Sequence, residues 1–309
     1  MKIKKIDPPE LSDKDIVNVT EMGNITEVRY LSRRNSKPTI RMLENRQYIT
    51  LSTGEVKDCK DHTEKRIDRI NSLQATFRRL RNIINTNVTN PELCQWITLT
   101  YRENVQDPKK IYQDFEHFYK RYVYYLKKRA VSPPEYISVV EPQSRGCFHA
   151  HLICIFRQKP PFVPNSELMK IWGHGFVKIT SLTNVDNVGA YLTAYLGDIP
   201  LESISSKGNT ENMDELDDCK HIKTDTATGK KYLKGGRLYF YPANMNIYRC
   251  SRGIKKPITE KMTYEDAKEK TSNAMMTYQK TVRLSDPDRD FEVDIHTEYY
   301  NKLRKPKKE

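Results

Sequence analysis

Apolar residues recur every three or four positions over residues 62–88, at Ile67, Ile70, Leu73, Phe77, Leu80, Ile83 and Ile84, the spacing of an amphipathic helix. Its polar face carries Arg66, Arg69, Arg78, Arg79 and Arg81, which fits either a solvated charged face or one that follows a phosphate backbone. After the break TNPEL the pattern shortens to the β-rich run CQWITLTY, and YRENVQDP turns the chain. Helical spacing returns over residues 107–130 at Ile111, Phe115, Phe118, Tyr122 and Leu126. Asp107 is placed to cap this helix, Pro108 to open it, and Pro133 with Pro134 to stop it.

EYISVVE and CFHAHLICIF then read as two strands joined by the turn residues of PQSRG, a hairpin. A short helix is predicted over residues 165–172, ending at GHG; FVKIT follows as a strand and NVDNVGAYLTAYLGD as a helix. This order of elements predicts an α+β domain on an antiparallel sheet. The flanking stretches are less patterned. Residues 1–60 form a polar, basic N-terminal region in which ITEVRYLSRR and RQYITLST predict short strands or an ordered arm, a candidate contact for DNA. Within a domain over residues 61–258, residues 199–235 are rich in Ser, Asn, Asp, Lys and Gly and read as a polar insertion or mobile loop. GRLYFYP and MNIYRCSRG resume strand character, and residues 259–309 read as a charged tail with a helix over 264–276.

Composition narrows the class of partner. The chain has 309 residues, of which 37% are hydrophobic, enough to fill a core. Lysine plus arginine outnumber aspartate plus glutamate 53 to 40, a formal charge of +13, which points to a polyanion, with nucleic acid first. A membrane surface attracts the same charge, yet no apolar stretch approaches the ~20 residues of a spanning helix. MKIKKIDPPE lacks a signal-peptide apolar region, so an intracellular chain without a membrane partner is expected. The six cysteines (Cys59, Cys94, Cys147, Cys154, Cys219, Cys250) have no framework spacing and are expected as reduced thiols.

Two short stretches carry candidate chemistry. In CFHAHLICIF alternate residues share a strand face, so His149 and His151 project together, about 7 Å apart, with Ile153 and Ile155 beyond them. They fit either satisfied core histidines or two ligands of one ion. If the preceding strand pairs so that Glu141 opposes His149, then Val139 faces His151 and a carboxylate joins the imidazoles. Nitrogen and oxygen donors without thiolate suit Mg²⁺ or Mn²⁺ held for phosphate chemistry, and imidazoles bind zinc as well. A C-x-H-x-H-x-x-C zinc site cannot close on an extended strand, because Cys154 points to the opposite face. In NVGAYLTAYLGD, Tyr191 and Tyr195 stand four apart on one helix face. They fit half-buried aromatics or, beside a divalent cation, nucleophiles that attack a phosphodiester and form a reversible phosphotyrosine link.

Taken in order, these pieces resemble the HUH-endonuclease superfamily, and within it the two-tyrosine rolling-circle replication initiators of small plasmids and phages. WITLTY is similar to the first family motif, CFHAHLI to the metal-binding histidine motif, and GAYLTAYLGD to the nucleophile helix. IWGHGFVKI and YRCSRGIKKP are similar to the connecting and closing segments, so the likeness spans residues 66–257. The resemblance implies a central antiparallel sheet of about five strands with flanking helices, metal ligands on the sheet and tyrosines on a helix beside it. His149 and His151 would hold Mg²⁺ or Mn²⁺ with Glu141 as third ligand. Tyr191 and Tyr195 would be the catalytic nucleophiles, cutting one DNA strand to leave a 5′-phosphotyrosine and a free 3′-OH and rejoining strands at termination. Tyr195 is the expected first nucleophile, because its Y-x-G-x run resembles the single-nucleophile plasmid initiators.

The implied substrate is a single-stranded or hairpin DNA origin in the cytoplasm of a prokaryotic host. No G-x-x-x-x-G-K-[ST] helicase signature is present, so a host helicase and replication machinery are expected as partners. Many relatives carry a lysine near the tyrosines where this chain has Ala194 and Asp198. A mobilisation relaxase or a single-strand transposase would share the chemistry, although such transposases are usually shorter and relaxases generally place the nucleophile before the histidines. A basic nucleic-acid-binding protein without catalysis, stacking Tyr and Phe on bases, is the reading from another class.

Overall fold

Helical and extended periods in the middle of the chain become α1 (Ile70–Asn87), β1 (Cys94–Tyr101), α2 (Pro108–Lys127), β2 (Glu135–Pro142), β3 (Phe148–Ile155), α3 (Asn165–Trp172), β4 (Gly175–Thr180), α4 (Val188–Gly197) and β5 (Tyr248–Cys250). The structure, a computed structural model, describes residues 2–33, 40–44, 47–58, 70–143, 146–183, 185–200, 222–224, 229, 231–233, 235–243, 245–286 and 291–304. The chain divides into a central unit, Met22–Asn24 with Glu64–Pro257, and a terminal unit, Met1–Glu21, Ile25–Thr63 and Ile258–Glu309.

In the central unit the five labelled strands form one sheet in the order β4-β1-β3-β2-β5, every pair antiparallel. This is the expected α+β class. Alternation along β1 sends Tyr101 to one face, where its ring meets Trp172 of α3 at 5.0 Å, and Trp96 to the other, where it meets Tyr195 of α4 at 4.9 Å. On the α3 face, α2 buries Ile111, Phe115, Phe118, Tyr122 and Leu126. Asp107 caps α2 by accepting from Lys109 N at 2.9 Å, and the helix ends at Ala130, a non-glycine residue at φ 57. On the other face α1 packs against α4. The cysteines described, Cys94, Cys147, Cys154 and Cys250, are free thiols, and burial pushes Cys94 up to about 12, so it is inert at neutral pH.

Three local expectations need correction or lie outside the described residues. GRLYFYP is not a strand: Gly236–Phe240 is a 3₁₀ turn entered through Gly235 at φ +73, a conformation that breaks extension. The polar stretch after α4 contains a small three-stranded sheet of Ile199–Pro200, Ile222–Thr224 and Lys231–Leu233, and its other residues up to 221 are outside the described set. Ile67, Arg66 and Arg69 of the first helix, Cys59, Cys219 and the turn residues 144 and 145 also lie outside it.

The terminal unit was the least legible. Its six-stranded sheet runs Lys2–Lys5, Met275–Asp286, Phe291–Asn301, Ile25–Leu31, Ile16–Met22, Ile258–Thr263. The helix expected over 264–276 stops at Thr271, and Met275 begins a twelve-residue strand. This sheet hides in the sequence because its buried positions include polar ones. His296, 3% exposed, takes Thr281 Oγ1 on Nδ1 at 2.8 Å and faces Glu298 through Nε2 at 3.1 Å. Tyr264 and Tyr300 both donate to Glu298, at 2.9 and 2.8 Å. Burial alone would raise the Glu298 carboxyl; these hydrogen bonds outweigh it and hold the group below its ordinary value. The apolar core beside the network is small: Val17, Val19, Val28 and Ala267, flanked by Tyr30, Met262, Tyr264 and Tyr300. Among the described residues no helix is long and apolar enough to cross a membrane.

Candidate active site

Strand β3 is anchored on one face by Phe148, Ala150, Leu152 and Cys154, all buried, which leaves His149 and His151 on the face toward α4. Its register with β2 sets Glu141 opposite His149 and Val139 opposite His151. Across β1 the same histidines face Thr100 and Thr98. The ligand atoms of Glu141, His149 and His151 therefore lie within 4.8 Å of one another. Glu141 and His151 are 1% and 2% exposed, so each must be paired within the protein, whereas His149 is half-buried.

The pairing is complete on the buried side. His151 Nε2 meets Glu141 Oε2, and its Nδ1 lies 3.1 Å from Thr98 Oγ1. Arg237 forms an ion pair with the other carboxylate oxygen of Glu141. Backbone carbonyls fix that guanidinium: Nη1 donates to Pro142 O at 3.2 Å, and Nε and Nη2 donate to Asp198 O at 3.3 and 3.2 Å. Burial by itself would push the Glu141 carboxyl up, but His151, Arg237 and His149 together hold it below the usual carboxylate range. One carboxylate and two imidazoles without a thiolate suit a divalent ion, and Thr98 on the distal nitrogen of His151 is the outer-shell partner that a metal-bound imidazole takes. Cys154, which pairs with Gln95 and Tyr136, is on the opposite face.

The tyrosines reach this face because α4 sits close on α1. Gly189 N donates to Asn85 Oδ1 at 2.8 Å, and a Cβ at Gly189 would stand 2.5 Å from Arg81 O and from Asn85 Oδ1. Only glycine permits that approach. Asn187 caps α4, accepting from Ala190 N at 3.0 Å. With Val188, Leu192 and Leu196 buried, Tyr191 and Tyr195 project from the other side, 45% and 46% exposed. The Tyr195 ring lies 5.7 Å from His151 and 4.9 Å edge-on from Trp96; Tyr191 lies 6.0 Å from Trp96. Burial raises the Tyr195 phenol above its ordinary value and the Glu141 charge adds to this, while Arg237 opposes it.

Residues 94–199 match the family model for the replication-associated protein ORF2. The matched span runs from β1 to the residues just after α4 and contains Glu141, His149, His151, Tyr191 and Tyr195. The match supports a replication initiator that binds DNA. No curated protein and no solved structure matches the chain. Arg237 lies outside the matched span and was not singled out from the sequence. Its only signal was a glycine pair before an arginine in a segment whose aromatic run LYFY imitates a strand.

Proposed function

We propose that this protein is a metal-dependent, site-specific single-strand DNA endonuclease and strand transferase that initiates rolling-circle replication. The observation that carries this reading is the Glu141–His149–His151 cluster facing the Tyr195 ring, 5.7 Å from His151, within a segment matched to a replication-associated family. Glu141, His149 and His151 would hold Mg²⁺ or Mn²⁺. When bound, the ion supplies positive charge that polarises a DNA phosphate and offsets the Glu141 charge acting on Tyr195. The Tyr195 phenol releases its proton to solvent and its oxygen attacks phosphorus. The bond from phosphorus to the 3′ oxygen breaks, that oxygen keeps the electron pair, and it takes a proton from solvent. The products are a 5′-phosphotyrosine ester and a free 3′-OH, and attack by a later 3′-hydroxyl reverses the ester. Trp96 packs edge-on against both tyrosines and limits their rotation. Tyr191 makes the second cut, at termination. The substrate is a single-stranded or hairpin origin of a plasmid or phage in a bacterial cytoplasm, opened by a host helicase.

The test uses the full chain, Mn²⁺ or Mg²⁺, and labelled single-stranded oligonucleotides tiled across the DNA of the encoding element. A 3′-OH fragment and a slower-migrating covalent adduct should form together. His149→Ala should abolish both and leave salt-dependent binding intact, since binding rests on lysine and arginine contacts to phosphate. Tyr195→Phe should lower the first cleavage by about 10³-fold or more. Undiminished adduct in the Tyr191→Phe plus Tyr195→Phe double variant would sink the proposal.

A further inference from the structure

The sheet continues past the metal-ligand cluster to an edge strand whose outward residues have no role so far. Register places Phe176 of β4 beside Thr100, which pairs with His149, which pairs with Glu141. One row further along, Lys178 lies beside Thr98, which pairs with His151. Paired residues share a face, so Phe176 and Lys178 stand on the side of the sheet that carries the cluster, each two strand spacings, about 10 Å, from a histidine. Burial agrees with this alternation. Val177 between them is 8% exposed, whereas Phe176 is 60% exposed and Lys178 is exposed. Gly175 lets the edge strand close on β1: a Cβ there would lie 2.3 Å from Thr100 O and 2.6 Å from Arg102 N. Among the described residues Phe176 makes no ring contact and Lys178 no ion pair.

We infer that Phe176 and Lys178 form a binding shelf for single-stranded DNA, where a nucleotide flanking the cleaved bond stacks its base on Phe176 while Lys178 contacts a phosphate. This rests on the reading of the neighbouring cluster as the cleavage centre, and it adds a subsite to it. An aromatic ring left open to water beside an unpaired ammonium, on a chain of charge +13, has the two elements of a sequence-tolerant single-strand site. The row Phe176–Thr100–His149 gives the strand a continuous path to the cluster. A duplex keeps its bases stacked inside and cannot use the ring. The edge position also explains why an exposed phenylalanine persists in a strand that otherwise alternates out and in.

The test is fluorescence anisotropy of the full chain with labelled oligothymidylate and, separately, a duplex, both in chelator. Phe176→Leu keeps apolar bulk on the edge strand and removes the aromatic face; it should weaken oligothymidylate binding by roughly 5- to 150-fold and leave duplex binding unchanged. Phe176→Trp should restore or tighten binding. Lys178→Gln should lower the slope of log affinity against log salt by about one. Equal binding of oligothymidylate by Phe176→Leu and the parent overturns the shelf, as does equal loss on duplex. Adduct formation on tiled oligonucleotides separates the two proposals. Adduct with unchanged Phe176→Leu binding sinks the shelf alone; loss of binding with no adduct from the parent supports the shelf and sinks the cleavage reading.

Discussion

Arg237 is the residue on which the buried half of the site turns. Glu141, 1% exposed, is charged among imidazoles, and Arg237 supplies the permanent positive charge next to it. Relatives that place a lysine near the tyrosines put a cation on the helix; here a cation reaches the end of that helix from a 3₁₀ turn and holds Asp198 O. Truncating one partner of a buried pair leaves the other uncompensated, so Arg237→Met should cost about 3–5 kcal/mol in a urea melt, and Arg237→Met with Glu141→Gln should recover much of it. The same pair sets a pH dependence in chelator. The Glu141 carboxyl sits below its ordinary 4.5 in the folded protein, so the unfolded chain binds the proton more readily. Its stabilisation is complete above about pH 4.5 and is lost as pH falls toward the depressed value. Melts of Glu141→Gln should show a shallower loss of stability on acidification than the parent; an identical acid limb would contradict the pairing.

At the scale of elements, the tyrosine helix depends on one close approach. Gly189→Ala puts a methyl 2.5 Å from the Arg81 carbonyl and Asn85 Oδ1, which cannot both yield without α4 lifting from α1. The expected outcome is a loss of about 1–3 kcal/mol in a denaturant melt together with a disproportionate fall in adduct yield, since both tyrosines ride on α4. Unchanged adduct yield would show that the tyrosine positions do not depend on this packing. These helices and the β2–β3 hairpin were legible in the sequence because their apolar residues keep a clean period over whole elements. The Glu141–His149 register was legible for a related reason: a strand with one buried face tolerates no slip. Gly236–Phe240 was not, because its aromatic run satisfies strand propensity while Gly235 at φ +73 forbids extension. Arg237 was hidden with it.

At the scale of the whole molecule, the order of motifs along residues 94–199 carried more information than any one of them. Two histidines in a strand, or two tyrosines in a helix, are each compatible with ordinary burial; a sheet that aligns Glu141 with His149 and a helix that lays Tyr195 over His151 are together a site. The terminal unit shows the converse. Its strands come from both ends of the chain, separated in sequence by the central unit, and its interior pairs His296, Thr281 and Glu298 where a simpler sheet would place valine. Local periodicity cannot register a partner strand some 250 residues away, and a polar interior removes the apolar alternation that marks a buried face. The central claim concerns covalent chemistry at one helix, so the most direct measurement is tandem mass spectrometry of the peptide spanning residues 188–197 after reaction of the full chain with tiled single-stranded DNA and Mn²⁺. The expected result is a nucleotide 5′-phosphate ester on Tyr195 in the parent and on Tyr191 in Tyr195→Phe, with neither in His149→Ala. Cleaved DNA with both tyrosines unmodified would contradict it.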